Sequence, residues 1–315
     1  MPPDPRRSPT GTAASRRVLA TPHWDEGIAL WGSSSMAGGL GDQGTPIPEY
    51  IHDLLALALS PRPVHRHGYG RHTSHHTMIV RGAVQPEIAL PAGYDGGRVR
   101  VEVDTTARPV LEFAVPGTVG GRRGTLTSDG SSWFFEADSS AARGTGTADG
   151  AAARGGGAGD RFVSAYAAQC ERSRHVVWTG KNNITEVDTV CAHVDAIRAM
   201  GRTPDDTIVL GQWATQHDPK GSDTLAALTE VNDRQRARYG DRFLDVQRLL
   251  TTAEGLASAP VAELGLLDRS ATKADLARGT VPAAICGDDG KHLNGWGNLI
   301  VGAALLARMR RIGWL

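Results

Sequence analysis

Short apolar runs alternate along this chain with stretches of helical periodicity, and that alternation restricts it to a parallel sheet covered by helices. Ile28-Ala29-Leu30-Trp31 is the first run and ends in a Gly/Ser turn. Ile47, Tyr50, Ile51, Leu54, Leu55 and Ala58 follow at helical spacing. Further strand-like runs stand around Val64, at Val176-Val177-Trp178, at Ile208-Val209-Leu210 and at Phe243-Leu244-Asp245-Val246. Helical stretches over 185–200, 227–239 and 296–310 separate or follow them. The last of these carries Leu299, Ile300, Ala303 and Ala307 on one face. The pattern predicts an α/β fold with about five parallel strands.

Residues 86–138 break the alternation. Val99, Val101 and Val103 alternate with charged residues, and Trp133-Phe134-Phe135 follows a glycine-rich turn region, which predicts a small antiparallel β insertion. Residues 139–159 are dominated by Gly, Ala, Ser and Thr, the composition of a flexible return linker. Residues 1–22 are rich in Pro, Arg, Ser and Thr without apolar periodicity and read as a solvated tail. The α/β domain is therefore expected over 23–85 and 160–315.

Composition narrows the partners. Lys plus Arg and Asp plus Glu are equal at 34 each, so no net field favours nucleic acid or an anionic membrane. No apolar run is long enough for a spanning helix, so no membrane insertion is expected. Cys170, Cys191 and Cys286 stand far apart, with neither a disulfide framework nor a thiolate zinc pattern. A reducing, cytoplasmic location fits them. Residues 15–20, Ser-Arg-Arg-Val-Leu-Ala, are followed by Thr-Pro-His-Trp-Asp-Glu where an export signal needs an apolar stretch, so export is not expected. The oligomeric state has no signature in the sequence.

Four segments carry residues suited to chemistry. Gly32-Ser33-Ser34-Ser35-Met36-Ala37-Gly38 follows the first strand, where open α/β sheets place their ligands; a serine on such a turn is held out of the core, beside amides that can receive developing charge. The same residues also suit an ordinary Ser/Gly turn. Asp288-Asp289-Gly290-Lys291-His292 precedes the last helix. An Asp three residues before a His can orient that imidazole as a base, with Asp288 a competitor for Asp289, or the segment can be a plain Asp-Gly turn capping the helix. Thr179-Gly180-Lys181-Asn182-Asn183 ends another strand, where an amide side chain can donate to an oxyanion or cap the next helix. Gly68-Tyr69-Gly70 follows the Val64 strand and offers a backbone amide.

In order and spacing these segments resemble the blocks of the SGNH (GDSL-like) hydrolase superfamily, whose usual forms are G-D-S-x-x-x-G, a glycine block, G-x-N-D and D-x-x-H. The resemblance covers about residues 24–80 and 160–312, and its most specific stretch is Asp289 to Gly297. It implies a three-layer α/β/α, flavodoxin-like parallel sheet. It implies Ser34 as nucleophile, Asp289 as orienter and His292 as base, with the Ser34 amide, Gly70 and the Asn182 side chain as oxyanion donors. Gly70 and Arg71 both remain in place for the second donor. No cofactor or metal is implied. Ser33 stands where the family has Asp before the nucleophile, and Asn183 where it has Asp after the block asparagine.

The implied activity is hydrolysis of an ester through an acyl-enzyme, with a short O-acyl group on a carbohydrate or other small molecule as first choice of substrate. The same triad serves an acyltransferase, a lipase or a thioesterase. A noncatalytic glycan- or polymer-binding module on a degenerate scaffold is the rival from another class. His65, His67, His72, His75 and His76 form a local cluster in which His72 and His76 have the spacing of metal ligands, but no carboxylate or cysteine lies close in sequence, and solvated or substrate-facing rings are expected. Cys286 is expected as a small buried hydrophobe. Trp31 and Trp178 suit either core or pocket wall.

Overall fold

The computed structural model describes residues 27–37, 45, 50–138, 159–257 and 260–315. The expected tail over 1–22, and the expected linker apart from Gly159, lie outside the described residues.

The fold is mixed α/β, with one parallel and one antiparallel sheet. Strands β1 (Ile28–Gly32), β2 (Val64–Gly68), β9 (Arg174–Trp178), β10 (Thr207–Leu210) and β11 (Phe243–Leu244) form the parallel sheet in the order β11-β10-β9-β1-β2. Every residue of β1 is buried, as expected for a central parallel strand covered on both faces. Ile28 and Leu30 belong to a cluster with Ile51 and Leu55 of α1 (Ile51–Leu59) and Ile300, Val301 and Leu305 of α9 (Gly295–Arg311). Ala29 and Trp31, pointing the other way, join Ile79 and Val80 of α2 (Ser74–Arg81) and Val194 and Ile197 of α4 (Val187–Ala199). The period-two alternation of the strand thus gives each face its own helices.

The antiparallel sheet holds β3 (Glu87–Ile88), β4 (Val99–Val101), β5 (Ala114–Val119), β6 (Arg122–Ser128), β7 (Trp133–Ala137) and β8 (Asp160–Ser164) in the order β3-β8-β5-β6-β7-β4. Its return strand differs from the expected boundary, because Asp160–Ser164 pairs with β5 and β3 instead of opening the α/β part. Only Phe162 and Val163 are apolar in that run, too short a pattern to reveal partners lying far back in the chain. Phe113, Val115, Leu126, Phe135 and Phe162 share a core with Ile79 and Val80, so this sheet is packed onto α2.

The end of the chain departs from the expected elements more locally. The Phe243 run supplies a strand of only two residues, and Val246 opens α6 (Val246–Thr251) instead. Asp245 causes the break by capping α6, its side chain accepting the Arg248 amide at 3.0 Å. Among the described residues no helix is long and apolar enough to cross a membrane.

Candidate active site

Strand order reverses beside β1: the chain passes first to β2 on one side and later to β9 on the other. A crevice opens at the carboxyl ends of strands where such a reversal occurs. Ser34 follows β1 and Asn182 follows β9, so both lie at this crevice. The turn between Gly32 and Ala37 is tight, with the amides of Met36 and Ala37 donating to the Ser33 carbonyl at 3.0 and 3.1 Å. Glycine is required on two sides of it. A Cβ on Gly32 would lie 2.1 Å from the Trp178 carbonyl oxygen, and one on Gly68 would lie 2.4 Å from the Met36 carbonyl carbon.

Across the crevice, residues 286–293 form a small hairpin in front of α9. Cys286 and Leu293 bridge antiparallel, and the Gly287 amide donates to the His292 carbonyl at 2.9 Å. His217 contacts the Asp289 carbonyl at 3.0 Å through Nε2, and the Gln216 amide donates to the Gly290 carbonyl at 3.1 Å, so a second loop braces the hairpin tip.

Within this frame, Asp289 Oδ2 lies 2.5 Å from His292 Nδ1, and His292 Nε2 lies 2.8 Å from Ser34 Oγ. With Nδ1–H donated to the carboxylate, Nε2 is the acceptor for the serine hydroxyl. Asp289 Oδ1 accepts the amides of Lys291 and His292, each at 2.9 Å. Burial pushes the Asp289 carboxyl up, but those two amides and the imidazole outweigh it and hold the group below the usual carboxylate range. The carboxylate facing the imidazole is that of Asp289, which separates it from its competitor Asp288. The hydroxyl can therefore pass its proton to a ring whose positive form is stabilised from behind.

Asn182 lines the same cleft as Ser34 and His292. One N–H of its side chain is donated to the His72 carbonyl at 2.8 Å, which orients the amide and leaves a second N–H. Gly70 and Arg71 both line the cleft, and neither backbone amide, nor that of Ser34, has an acceptor among the described residues. Asn183 has a different task. Its Oδ1 accepts the Ser74 amide at 3.0 Å and its Nδ2 donates to Ser74 Oγ at 3.0 Å, so it ties the start of α2 to the loop after β9. Either Asn or Asp can accept that amide, and only Asn can also donate. Ser33 is buried, and its carbonyl closes the nucleophile turn.

Several neighbours were not legible in the sequence. Trp213, Thr215, Asp218 and Lys181 complete the cleft, which has a volume of about 770 Å³. Lys181 and Asp218 pair at 2.6 Å, and Asp218 also accepts from the Thr215 hydroxyl at 2.7 Å. Trp31 and Trp178 are buried in the core and not among the residues lining the cleft, whereas Trp213 is one of its walls. Thr-Gln-His-Asp over 215–218 carries the polar types of a site loop, but no periodicity distinguishes it from other turns.

The histidines, expected to be solvated or substrate-facing, are mostly inside. His65, His67, His72 and His76 are buried, and His72 stacks on His76 at 4.8 Å and on Phe113 at 5.3 Å. His76 is engaged at both ring nitrogens, Nδ1 accepting the Thr73 amide at 3.1 Å and Nε2 facing the Arg108 carbonyl at 2.7 Å. His72 and His76 are covered by Phe113, with Trp133 beside His76, where the antiparallel part packs over α2, and His67 on β2 is enclosed by Trp31, Tyr166 and Cys170. Cys286 is buried, and burial, with the Asp289 carboxylate nearby, raises its thiol to about 12, so it is present as the neutral thiol.

No family model matches this chain, and no curated protein is similar enough to match it.

Proposed function

We propose that the chain is a serine esterase of the SGNH type, with Ser34 as nucleophile, His292 as general base and Asp289 as its orienting carboxylate. One observation carries the reading: a hydroxyl and a carboxylate stand on opposite nitrogens of the same imidazole, at 2.8 and 2.5 Å, although Ser34 and His292 are far apart in the sequence. Support for the three-layer, flavodoxin-like arrangement comes from the order β11-β10-β9-β1-β2 and from the separate groups of helices on the two faces.

In this reaction Ser34 Oγ attacks the ester carbonyl as His292 Nε2 takes the hydroxyl proton. The oxyanion is held by the amides of Ser34 and of Gly70 or Arg71, and by the second N–H of Asn182. The imidazolium returns its proton to the leaving alcohol, and water repeats the sequence to release the acid. Residues of this chain and one water molecule supply every step, and a small O-acylated alcohol fits the open cleft, where polar groups such as Asn182 and Lys181 stand beside the apolar wall of Trp213.

A fluorophosphonate probe tests the assignment directly. Stoichiometric labelling at Ser34, abolished in Ser34→Ala, is the expected result. A folded protein that takes no label would remove Ser34 as nucleophile, and tight glycan binding by that unlabelled protein would favour the noncatalytic module. With labelling established, acylated acceptor formed in preference to free acid would assign an acyltransferase.

A further inference from the structure

Two non-glycine residues among those described have a left-handed backbone, Arg71 at φ 62° and Glu112 at φ 70°. Both line the cleft that holds Ser34 and His292. Such conformations are costly for residues with a Cβ, and they persist where surrounding structure enforces them. At Glu112 the enforcing contact is its neighbour. Phe113 is buried, stacked on His72 at 5.3 Å and set edge-on to Trp133 at 4.8 Å. With Phe113 anchored in the core, the chain turns sharply and Glu112 is left at the cleft.

Glu112 is also the one described residue from the antiparallel part, 86–138 and 159–164, that lines this cleft. Its Oε2 lies 2.6 Å from the point a Cβ on Gly70 would occupy, so the carboxylate group lies against the backbone that offers an oxyanion donor. Among the described residues no hydrogen bond or ion pair engages it. An acceptor beside a site that must stabilise negative charge opposes the reaction unless the substrate brings donors to it. A short acyl group has none. The alcohol half of the ester is the part that can carry them.

Resting on the esterase reading above, we propose that Glu112 is a specificity-determining residue that accepts hydrogen bonds from hydroxyls of the alcohol portion, so that the preferred substrates are O-acylated polyols or sugars. The antiparallel sheet thereby acts as the alcohol-recognising part of the molecule. Its contribution is one carboxylate held in place by the Phe113 anchor.

Glycerol monoacetate and propyl acetate share an acyl group and a three-carbon alcohol and differ in two free hydroxyls, which makes them a matched pair for the test. The full-length protein is expected to favour glycerol monoacetate in kcat/KM by at least about tenfold, in line with a charge-assisted hydrogen bond. Glu112→Ala should bring that ratio close to one, mainly through a higher KM for glycerol monoacetate, and Glu112→Gln, which keeps one acceptor oxygen, should fall between. Thermal melting identifies either variant that fails to fold, and the other then carries the comparison. A wild-type protein without the preference, or a preference that survives in the folded variants, overturns the proposal. So does a Glu112-dependent preference for acetylcholine over glycerol monoacetate, which would assign the carboxylate to a cationic alcohol. Labelling of Ser34 by the fluorophosphonate separates these failures from failure of the esterase reading, in which no label is taken.

Discussion

The Asn294 side chain donates to the Cys286 carbonyl at 3.0 Å and so joins the base of the Asp289–His292 hairpin to the start of α9. Its other N–H goes to the Ala284 carbonyl at 3.1 Å, and its oxygen caps the helix by accepting the amides of Trp296 and Gly297 at 3.0 and 3.2 Å. Asn294→Ala loses a helix cap, about 1 kcal/mol, and leaves partly buried carbonyls unpaired at about 1 kcal/mol or more each, so a loss of about 3 kcal/mol is expected in urea unfolding. Asn294→Asp keeps the acceptor and loses both donors, and should fall between. Stability within about 0.5 kcal/mol of wild type for the Ala variant would show that the hairpin is held by other contacts.

Removing either end of the Ser34–His292–Asp289 chain should abolish most turnover. Ser34→Ala is expected to lose about a thousandfold or more in kcat, and Asp289→Asn about ten-thousandfold, since an amide favours the wrong imidazole tautomer. Initial rates on a nitrophenyl acetate, with circular dichroism to verify folding, measure both. Less than about a tenfold loss in either would be incompatible with the triad roles.

Asn182→Ala should lower kcat by about a hundred- to a thousandfold, about 3 to 4 kcal/mol, because the donation strengthens as charge develops on the substrate oxygen. Equal falls in kcat and kcat/KM are expected of an interaction confined to the transition state. A rise in KM alone would instead assign Asn182 to ground-state binding.

The buried histidines make the fold acid-labile. Burial first, then the neighbouring positive charge or imidazoles, depresses His67 and His175 to about 3 and His72 to about 2. The unfolded chain therefore binds more protons than the native one once pH falls below about 6.5, and stability, fully present above that value, is lost as pH falls. Three such groups give a slope of about 4 kcal/mol per pH unit, enough to unfold a domain of about 10 kcal/mol near pH 4. Among the described residues neither ring nitrogen of His72 has a hydrogen-bond partner, so His72→Phe should hold or raise stability at pH 7 and reduce the acid slope by about a third. Urea midpoints measured from pH 4 to 7 test this, and an unchanged slope in the variant would mean that His72 titrates normally in the fold.

The parallel strands and the Asp289–His292 pair were legible because each is a local pattern. Consecutive apolar residues mark a strand buried on both faces, and a carboxylate three residues before a histidine can reach it within one turn of chain. The demand for glycine at 32 and 68 is tertiary instead, set by Trp178 and Met36 brought against those positions from elsewhere in the chain. Strand β8 was not legible, because the partners of Asp160–Ser164 lie in β3 and β5 and nothing in five residues names them. The histidines between 65 and 76 were misplaced for the same reason. A polar stretch reads as solvated until the sheet that covers it is known.

What the amino-acid order determined unaided is thus the strands of the parallel sheet and the short-range pair at one end of the site, both consequences of periodicity and reach along a few residues. Tertiary structure decided the rest: that Ser34 meets His292, that Trp213 and not Trp31 walls the cleft, that His72 loses its water, and that Glu112 comes to lie against Gly70. Each of these depends on surfaces brought together from distant parts of the chain, and burial and long-range contact are properties of that packing, which no local pattern encodes.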